Sequence, residues 1–167
     1  AMAEARQHAL FPSVINHLTF ALVGDGDLME GVSHEVASLA GQQQLSKLIV
    51  LYDDNDITLD GSKSRSDTSN QLQRFESYGW DIRHVADGND ISMIHDAIEN
   101  AKLSPEPTLI AVKNIIGIHG PFENSHRAHG TPLTAKQLED LSAVLDVQMT
   151  RFTLDEDILS SIRTRIK

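Results

Sequence analysis

Thr19-Phe20-Ala21-Leu22-Val23-Gly24-Asp25-Gly26-Asp27 is the stretch on which the fold turns. An unbroken apolar run ends at a glycine-acid turn, and a helical pattern starts directly after it. Continuous apolar runs without alternation suit strands buried on both faces, as in parallel sheets. Leu28, Val32, Val36, Leu39 and Ala40 then recur at helix spacing, with Gly41 placed to help end that helix. The same alternation continues along the chain. Leu48-Ile49-Val50-Leu51-Tyr52 is a second apolar run, Ile82 to Val85 a weaker third, and Leu109-Ile110-Ala111-Val112 a fourth. Leu72, Phe75 and Tyr78-Gly79 predict a short helix between them. Ile91, Ile94, Ala97, Ile98 and Ala101 predict another, with Asn89 or Asp90 as N-cap. The order β-α-β-α-β-α-β reads as an α/β domain, a mostly parallel sheet flanked by helices.

After Val112 the character changes. Ile115 to Pro132 carries three glycines, two prolines and three histidines and reads as one long loop, a feature that in compact domains is usually functional. Thr134 is placed to cap a helix running from Ala135 to about Leu145, and a last amphipathic helix is expected from Asp155 to Ile166. This divides the chain at residue 133 into an α/β part (1–133) and a helical extension (134–167).

The chain has 167 residues, 40% hydrophobic and 23% charged, which is one globular domain's worth of sequence. Its formal charge is −10 and no Lys/Arg run offsets that, so nucleic acid is not an expected partner. There is no cysteine, which excludes disulfides, thiolate zinc sites and a cysteine nucleophile. No apolar stretch approaches the ~20 residues of a membrane span, and Ala1-Met2-Ala3-Glu4 carries no signal-peptide pattern. The expected location is the cytoplasm, with no membrane partner.

Two turns carry chemistry. Gly24-Asp25-Gly26-Asp27 lies where a strand ends and a helix begins. The glycines permit close backbone approach, and the free N–H groups of a helix start favour phosphate. An Asp beside phosphate is electrostatically wrong unless a hard divalent cation lies between them, and Mg²⁺ takes carboxylate, carbonyl and phosphate oxygens together. Asp53-Asp54-Asn55-Asp56-Ile57 ends the next strand. If the two strands are parallel neighbours, Asn55 comes close to Asp25 at the sheet edge where open α/β sheets bind ligands. The competing readings are a plain Asp-Gly turn and an acidic Asx-turn.

Longer blocks then become recognisable. Gly24 to Glu35, Leu39-Ala40-Gly41, Lys47 to Ile57, Asp60-Gly61, Arg74-Phe75-Glu76-Ser77-Tyr78-Gly79-Trp80, Asp87-Gly88-Asn89, Ile115-Ile116-Gly117 and His129-Gly130-Thr131-Pro132-Leu133 closely resemble the transketolase family. The resemblance spans Ala1 to about Leu133, the second half of the family's N-terminal thiamine diphosphate-binding domain. It implies that Asp25, Asn55 and the backbone carbonyl of Ile57 hold Mg²⁺ or Ca²⁺. It also implies that Gly24 and Gly26 approach the cofactor diphosphate and that Asn55 touches it. Glu30 and Glu35 match acids at the family's dimer interface near the cofactor. His129 matches a histidine contacting the diphosphate and the sugar, the one catalytic residue expected here. Thr131 stands where the family usually has alanine, and His119 to Arg127 departs from the family's loop, so His119 and His126 receive no role.

The family's reaction moves a two-carbon ketol unit from a ketose phosphate to an aldose phosphate. Family subunits are several times longer than this chain. The expectation is a fragment or subunit that supplies the metal and diphosphate anchor, is inactive alone, and works as a homodimer or with a complementary chain on sugar phosphates. The alternative is a non-catalytic split subunit or remnant that acts by pairing.

Overall fold

The computed structural model describes residues 1–147 and 152–166. From the N-terminus, α1 (Met2–His8) leads to β1 (Thr19–Gly24), α2 (Asp25–Met29), α3 (Gly31–Gln42) and β2 (Leu48–Asp54). A short hairpin follows, β3 (Ile57–Thr58) and β4 (Gly61–Ser62), then a 3-10 turn (Lys63–Arg65), α4 (Gln71–Ser77), β5 (Asp81–Val85), α5 (Ile91–Ala101) and β6 (Thr108–Lys113). The one-turn helix α6 (Arg127–Gly130), α7 (Ala135–Val144) and α8 (Glu156–Ile166) complete the order. Two compact units result: residues 1–118 with 122–131, and residues 119–121 with 132–167.

In the first unit the four apolar runs form one sheet, ordered β1-β2-β6-β5, and every pairing is parallel. Gly24 registers with Asp53, and Asp53 with Val112, so the carboxyl ends of β1, β2 and β6 are level. Alternate residues of the central strands point to opposite faces. Val50, Tyr52, Leu109 and Ala111 pack with Leu28, Ala37, Ala40, Phe75 and Trp80 on one side. Ile49 and Ile110 pack with Val85 and Ala101 on the other.

Several sequence expectations need correction. The β1 run is not buried on both faces: β1 is an edge strand, and Phe20 and Leu22 are 48% and 82% exposed. The helix expected through Leu28 and Ala40 is broken at Glu30, whose backbone is extended (φ −67°, ψ 135°), giving α2 and α3. Within α3 the inward residues are Ala37, Ala40 and Gly41, while Val32, Val36 and Leu39 are exposed. Small residues face inward because the Tyr78–Trp80 turn comes very close. Trp80 Nε1 donates to the Ala37 carbonyl at 2.8 Å, and a Cβ on Gly41 would fall 1.8 Å from the Tyr78 oxygen. Gly41 therefore lies inside the helix as a contact residue and does not end it. Finally, the Ile115–Pro132 loop is interrupted by α6.

The expected caps are present. Asp90 accepts from Ser92 N and Met93 N at 2.9 and 3.1 Å, while the side chain of Asn89 turns back to Asp87. Thr134 caps α7 through Gln137 N. Among the described residues, no helix is long and apolar enough to cross a membrane.

Candidate metal and cofactor site

The level carboxyl ends of β1 and β2 bring the two acidic turns together. Asp25 opens α2 immediately beyond β1 and is only 2% exposed. A buried carboxylate is costly unless hydrogen-bonded or paired with positive charge. Its Oδ1 has both kinds of partner: the Tyr52 hydroxyl donates to it, and Lys63 Nζ lies 3.1 Å away. Its Oδ2 is shielded from solvent and has no hydrogen-bond partner. Burial pushes the Tyr52 phenol up, and the bond to Asp25 pushes it further, so Tyr52 stays a protonated donor.

The second acid of the Gly24–Asp27 turn does different work. Asp27 Oδ2 accepts from Gly24 N at 2.8 Å, closing the first turn of α2, and the Ser33 hydroxyl donates to the Asp27 carbonyl at 2.6 Å across the helix break. Gly26 has no atom within 4 Å of the place a Cβ would take, so its backbone is open to approach from outside.

Beyond β2 the chain makes the Asx-turn raised as a competing reading. Asn55 Oδ1 accepts from Ile57 N at 2.9 Å, and Asn55 Nδ2 donates to Asp53 at 3.0 Å. Asp56 takes a left-handed backbone (φ 61°) to close it. The turn does not compete with ligand binding, because a carbonyl-type oxygen keeps a second lone pair. It also fixes which end of the amide is oxygen. Asp56 is bonded to Lys113 at 2.6 Å, which holds its carboxyl below the usual range. Burial lowers the Lys113 ammonium, but the bond to Asp56 and the charges of Asp54, Asp56 and Asp25 outweigh that and raise it.

His129 arrives from α6. Gly117 permits this placement, since its φ is +62° and a Cβ there would lie 2.7 Å from the Cβ of Ala128. Gly24, Asp25, Gly26, Glu30, Asn55, Ile57 and His129 all line one cavity of about 620 Å³. Glu30 and His129 are exposed at it, whereas Glu35 sits elsewhere on α3 and does not line it. Among the described residues no group of three or more His, Cys, Asp or Glu side chains is arranged to hold a metal. The donors on offer are one buried carboxylate oxygen, one amide oxygen and backbone carbonyls. That oxygen set suits a hard cation and not zinc.

The sequence reading missed Tyr52 and Lys63. Tyr52 stood at the end of an apolar run, where it read only as a buried strand residue. Lys63 follows the hairpin and belongs to no block that carried a resemblance.

A family model described as the transketolase thiamine diphosphate-binding domain matches residues 1–167. The chain belongs to the transketolase family. It is 48% identical over 148 residues to a transketolase of Staphylococcus epidermidis, covering 87% of this chain and 22% of that protein. It is 51% identical over 141 residues to a transketolase of Streptococcus pyogenes, covering 81% and 19%. Among solved structures, the transketolase of Leishmania mexicana superposes with a TM-score of 0.93 at 33% identity, covering 98% of this chain and 25% of that one. A Pichia stipitis transketolase mutant in complex with fructose-6-phosphate gives 0.92 at 35% identity, with the same coverage. The chain thus spans about a fifth to a quarter of the length of these transketolases.

Proposed function

We propose that this chain is the part of a transketolase that anchors thiamine diphosphate through a divalent cation, Mg²⁺ or Ca²⁺. One observation carries the reading: a buried carboxylate oxygen, Asp25 Oδ2, lacks any partner in a cavity that also contains Asn55 and Gly26. Asp25 Oδ2, Asn55 Oδ1 and the Ile57 carbonyl would hold the cation. Gly24 and Gly26 would let the diphosphate approach the backbone, and Asn55 would also touch it. His129, exposed at the cavity, would donate to phosphate oxygen and to the sugar. Glu30 would stand at the rim beside a second subunit.

When bound, thiamine diphosphate supplies the carbanion chemistry that moves a two-carbon ketol unit between a ketose phosphate and an aldose phosphate. The residues of this chain contribute binding, orientation and charge placement. Val32, Val36 and Leu39, exposed on α3, support pairing with a second copy or a complementary transketolase chain. The cytoplasm is the compartment that fits an enzyme of sugar phosphates, and this chain carries no cysteine for a disulfide.

Calorimetry with Mg²⁺ plus thiamine diphosphate tests the anchor. The expected result is metal-dependent binding that Asp25→Ala abolishes and His95→Ala leaves unchanged. A folded chain that shows no binding heat, or binding that survives Asp25→Ala, would overturn it.

A further inference from the structure

Three carboxylates and two lysines meet at the proposed cation site. The Asp25 side chain is fully buried, that of Asp54 partly buried and that of Asp56 exposed. Lys63 Nζ lies 3.1 Å from Asp25 Oδ1, 3.8 Å from Asp56 and 3.9 Å from Asp54, and it donates to the Tyr52 hydroxyl at 3.0 Å. Lys113 Nζ lies 2.6 Å from Asp56 and 3.7 Å from Asp54. Three negative charges against two positive ones leave the cluster one charge short of neutral. Of the two lysines, Lys63 is the one paired with Asp25.

The backbone holds Lys63 in this place. Its N–H donates to the Asp56 carbonyl at 2.9 Å, and the preceding residue, Ser62, pairs with Ile57 across the β3–β4 hairpin. The lysine is therefore carried by the same segment that supplies Asn55 and Ile57. A carboxylate as buried as Asp25 is tolerated when hydrogen-bonded and matched by opposite charge, and taking away one partner of a buried pair is strongly destabilising. An ammonium suits that task, being a compact point charge with three donors on a flexible stem. The same charge opposes a divalent cation drawn to Oδ2. Two cations on one carboxylate repel, and a buried site screens them weakly. Lys63 and a metal ion thus compete to neutralise one carboxylate.

We propose that Lys63 is a built-in stand-in for the divalent cation: it keeps the Asp25 and Asn55 turns assembled when no metal is bound, and thereby weakens metal binding. The proposal rests on the reading of Asp25 as a metal ligand and holds alike for Mg²⁺ and Ca²⁺. Lys63 is a positioning residue, acting on the cation through the carboxylate and through charge. A lysine with a purely structural role would support the fold equally with and without metal. A stand-in links the two. Its removal lowers the melting temperature most when metal is absent, and tighter metal binding then appears as a larger metal-induced rise in melting temperature.

The test titrates the full chain with Mn²⁺ alone, following the free-ion electron paramagnetic resonance signal, and melts the same proteins in EDTA and in saturating Mn²⁺. Lys63→Met should melt below the unmodified chain in EDTA, bind Mn²⁺ at least about tenfold more tightly, and gain more in melting temperature when Mn²⁺ is added. Lys63→Arg keeps the charge and should behave as the unmodified chain. Lys113→Met removes the same charge from a lysine whose ion pairs are with Asp54 and Asp56, and should tighten binding less. Lys63→Gln keeps a donor without the charge and decides the matter if Lys63→Met does not fold. Unchanged or weaker Mn²⁺ binding by the folded Lys63 variant, or an equal gain in Lys113→Met, would overturn the stand-in alone. No Mn²⁺ binding by either the unmodified chain or the folded Lys63 variant, or undiminished binding by Asp25→Ala, would overturn the metal site itself and the stand-in with it.

Discussion

Replacing Gly41 with alanine tests the close approach of α3 to the Tyr78–Trp80 turn. Two effects oppose each other. In a helix interior, alanine is favoured over glycine by roughly 0.8–1 kcal/mol, so propensity alone makes the variant more stable. The structure reverses that sign. A Cβ at Gly41 would lie 1.8 Å from the Tyr78 carbonyl oxygen, 2.9 Å from its carbonyl carbon and 3.3 Å from Trp80 Cδ1. Reaching the 3.4 Å of an ordinary contact would require a retreat of 3.4 − 1.8 = 1.6 Å. The turn has little freedom to retreat. Tyr78 N bonds back to Arg74 and Phe75, Trp80 N to Phe75, and the Trp80 ring to the Ala37 carbonyl. Overpacking against a held backbone costs about 1–3 kcal/mol and sometimes more. Set against the propensity gain, a net loss of about 1 kcal/mol or more is expected, or at least roughly 2–4 °C in melting temperature for a chain of this size. Thermal melts followed by circular dichroism measure it, with Gly31→Ala as control, since nothing lies within 4 Å of a Cβ there. A Gly41→Ala protein melting at or above the unmodified one would refute the reasoning.

Gly26→Ala should melt within about a degree of the parent, because no protein atom meets the new Cβ, yet bind Mg²⁺–thiamine diphosphate at least tenfold more weakly in calorimetry. Asp90→Ala removes the acceptor of two backbone N–H groups at the start of α5 and should cost about 1 kcal/mol, read from urea unfolding. Lys47 hydrogen-bonds the buried Glu4 carboxylate at 2.8 Å and holds its pKa below 4.5. A lowered folded-state value means that this stability is fully present above the unfolded value and lost as pH falls through the folded one. Glu4→Gln should accordingly show a flatter decline of melting temperature than the parent between about pH 5 and pH 3, and parallel curves would count against the pairing.

The sheet was legible because its strands are apolar without interruption, and β2 and β6 are as buried as that pattern implies. The exposure of Phe20 and Leu22 was not, since a continuous run looks the same at an edge as in the middle, and only strand order separates the two. Likewise, Met29 to Val32 continues a helical pattern without a proline or a cap to announce the break at Glu30. The proximity of Asp25 and Asn55 could be read because both follow strands that proved to be parallel neighbours. The partners of Asp25 could not. Tyr52 reaches it through strand pairing and Lys63 through a hairpin and a 3-10 turn, and neither contact leaves a periodic trace. Gly41 is a third case: its neighbour Tyr78 belongs to another element, so the sequence suggested a helix stop where the fold needed a missing side chain.

Among the described strands of the sheet, β6 comes last in the chain, yet it lies between β2 and β5. Until Thr108–Lys113 emerges, β5 lacks its described partner and β2 is unpaired on the side away from β1. The sheet therefore closes late, in a step joining residues far apart in the chain, and such steps are slow because loop entropy is lost before the contacts form. During that interval Ile49, Val50 and Tyr52 are waiting for their neighbours. A ribosome stalled short of Thr108 would hold a sticky half-sheet that chaperones should recognise, and one stalled beyond Lys113 would hold a folded one.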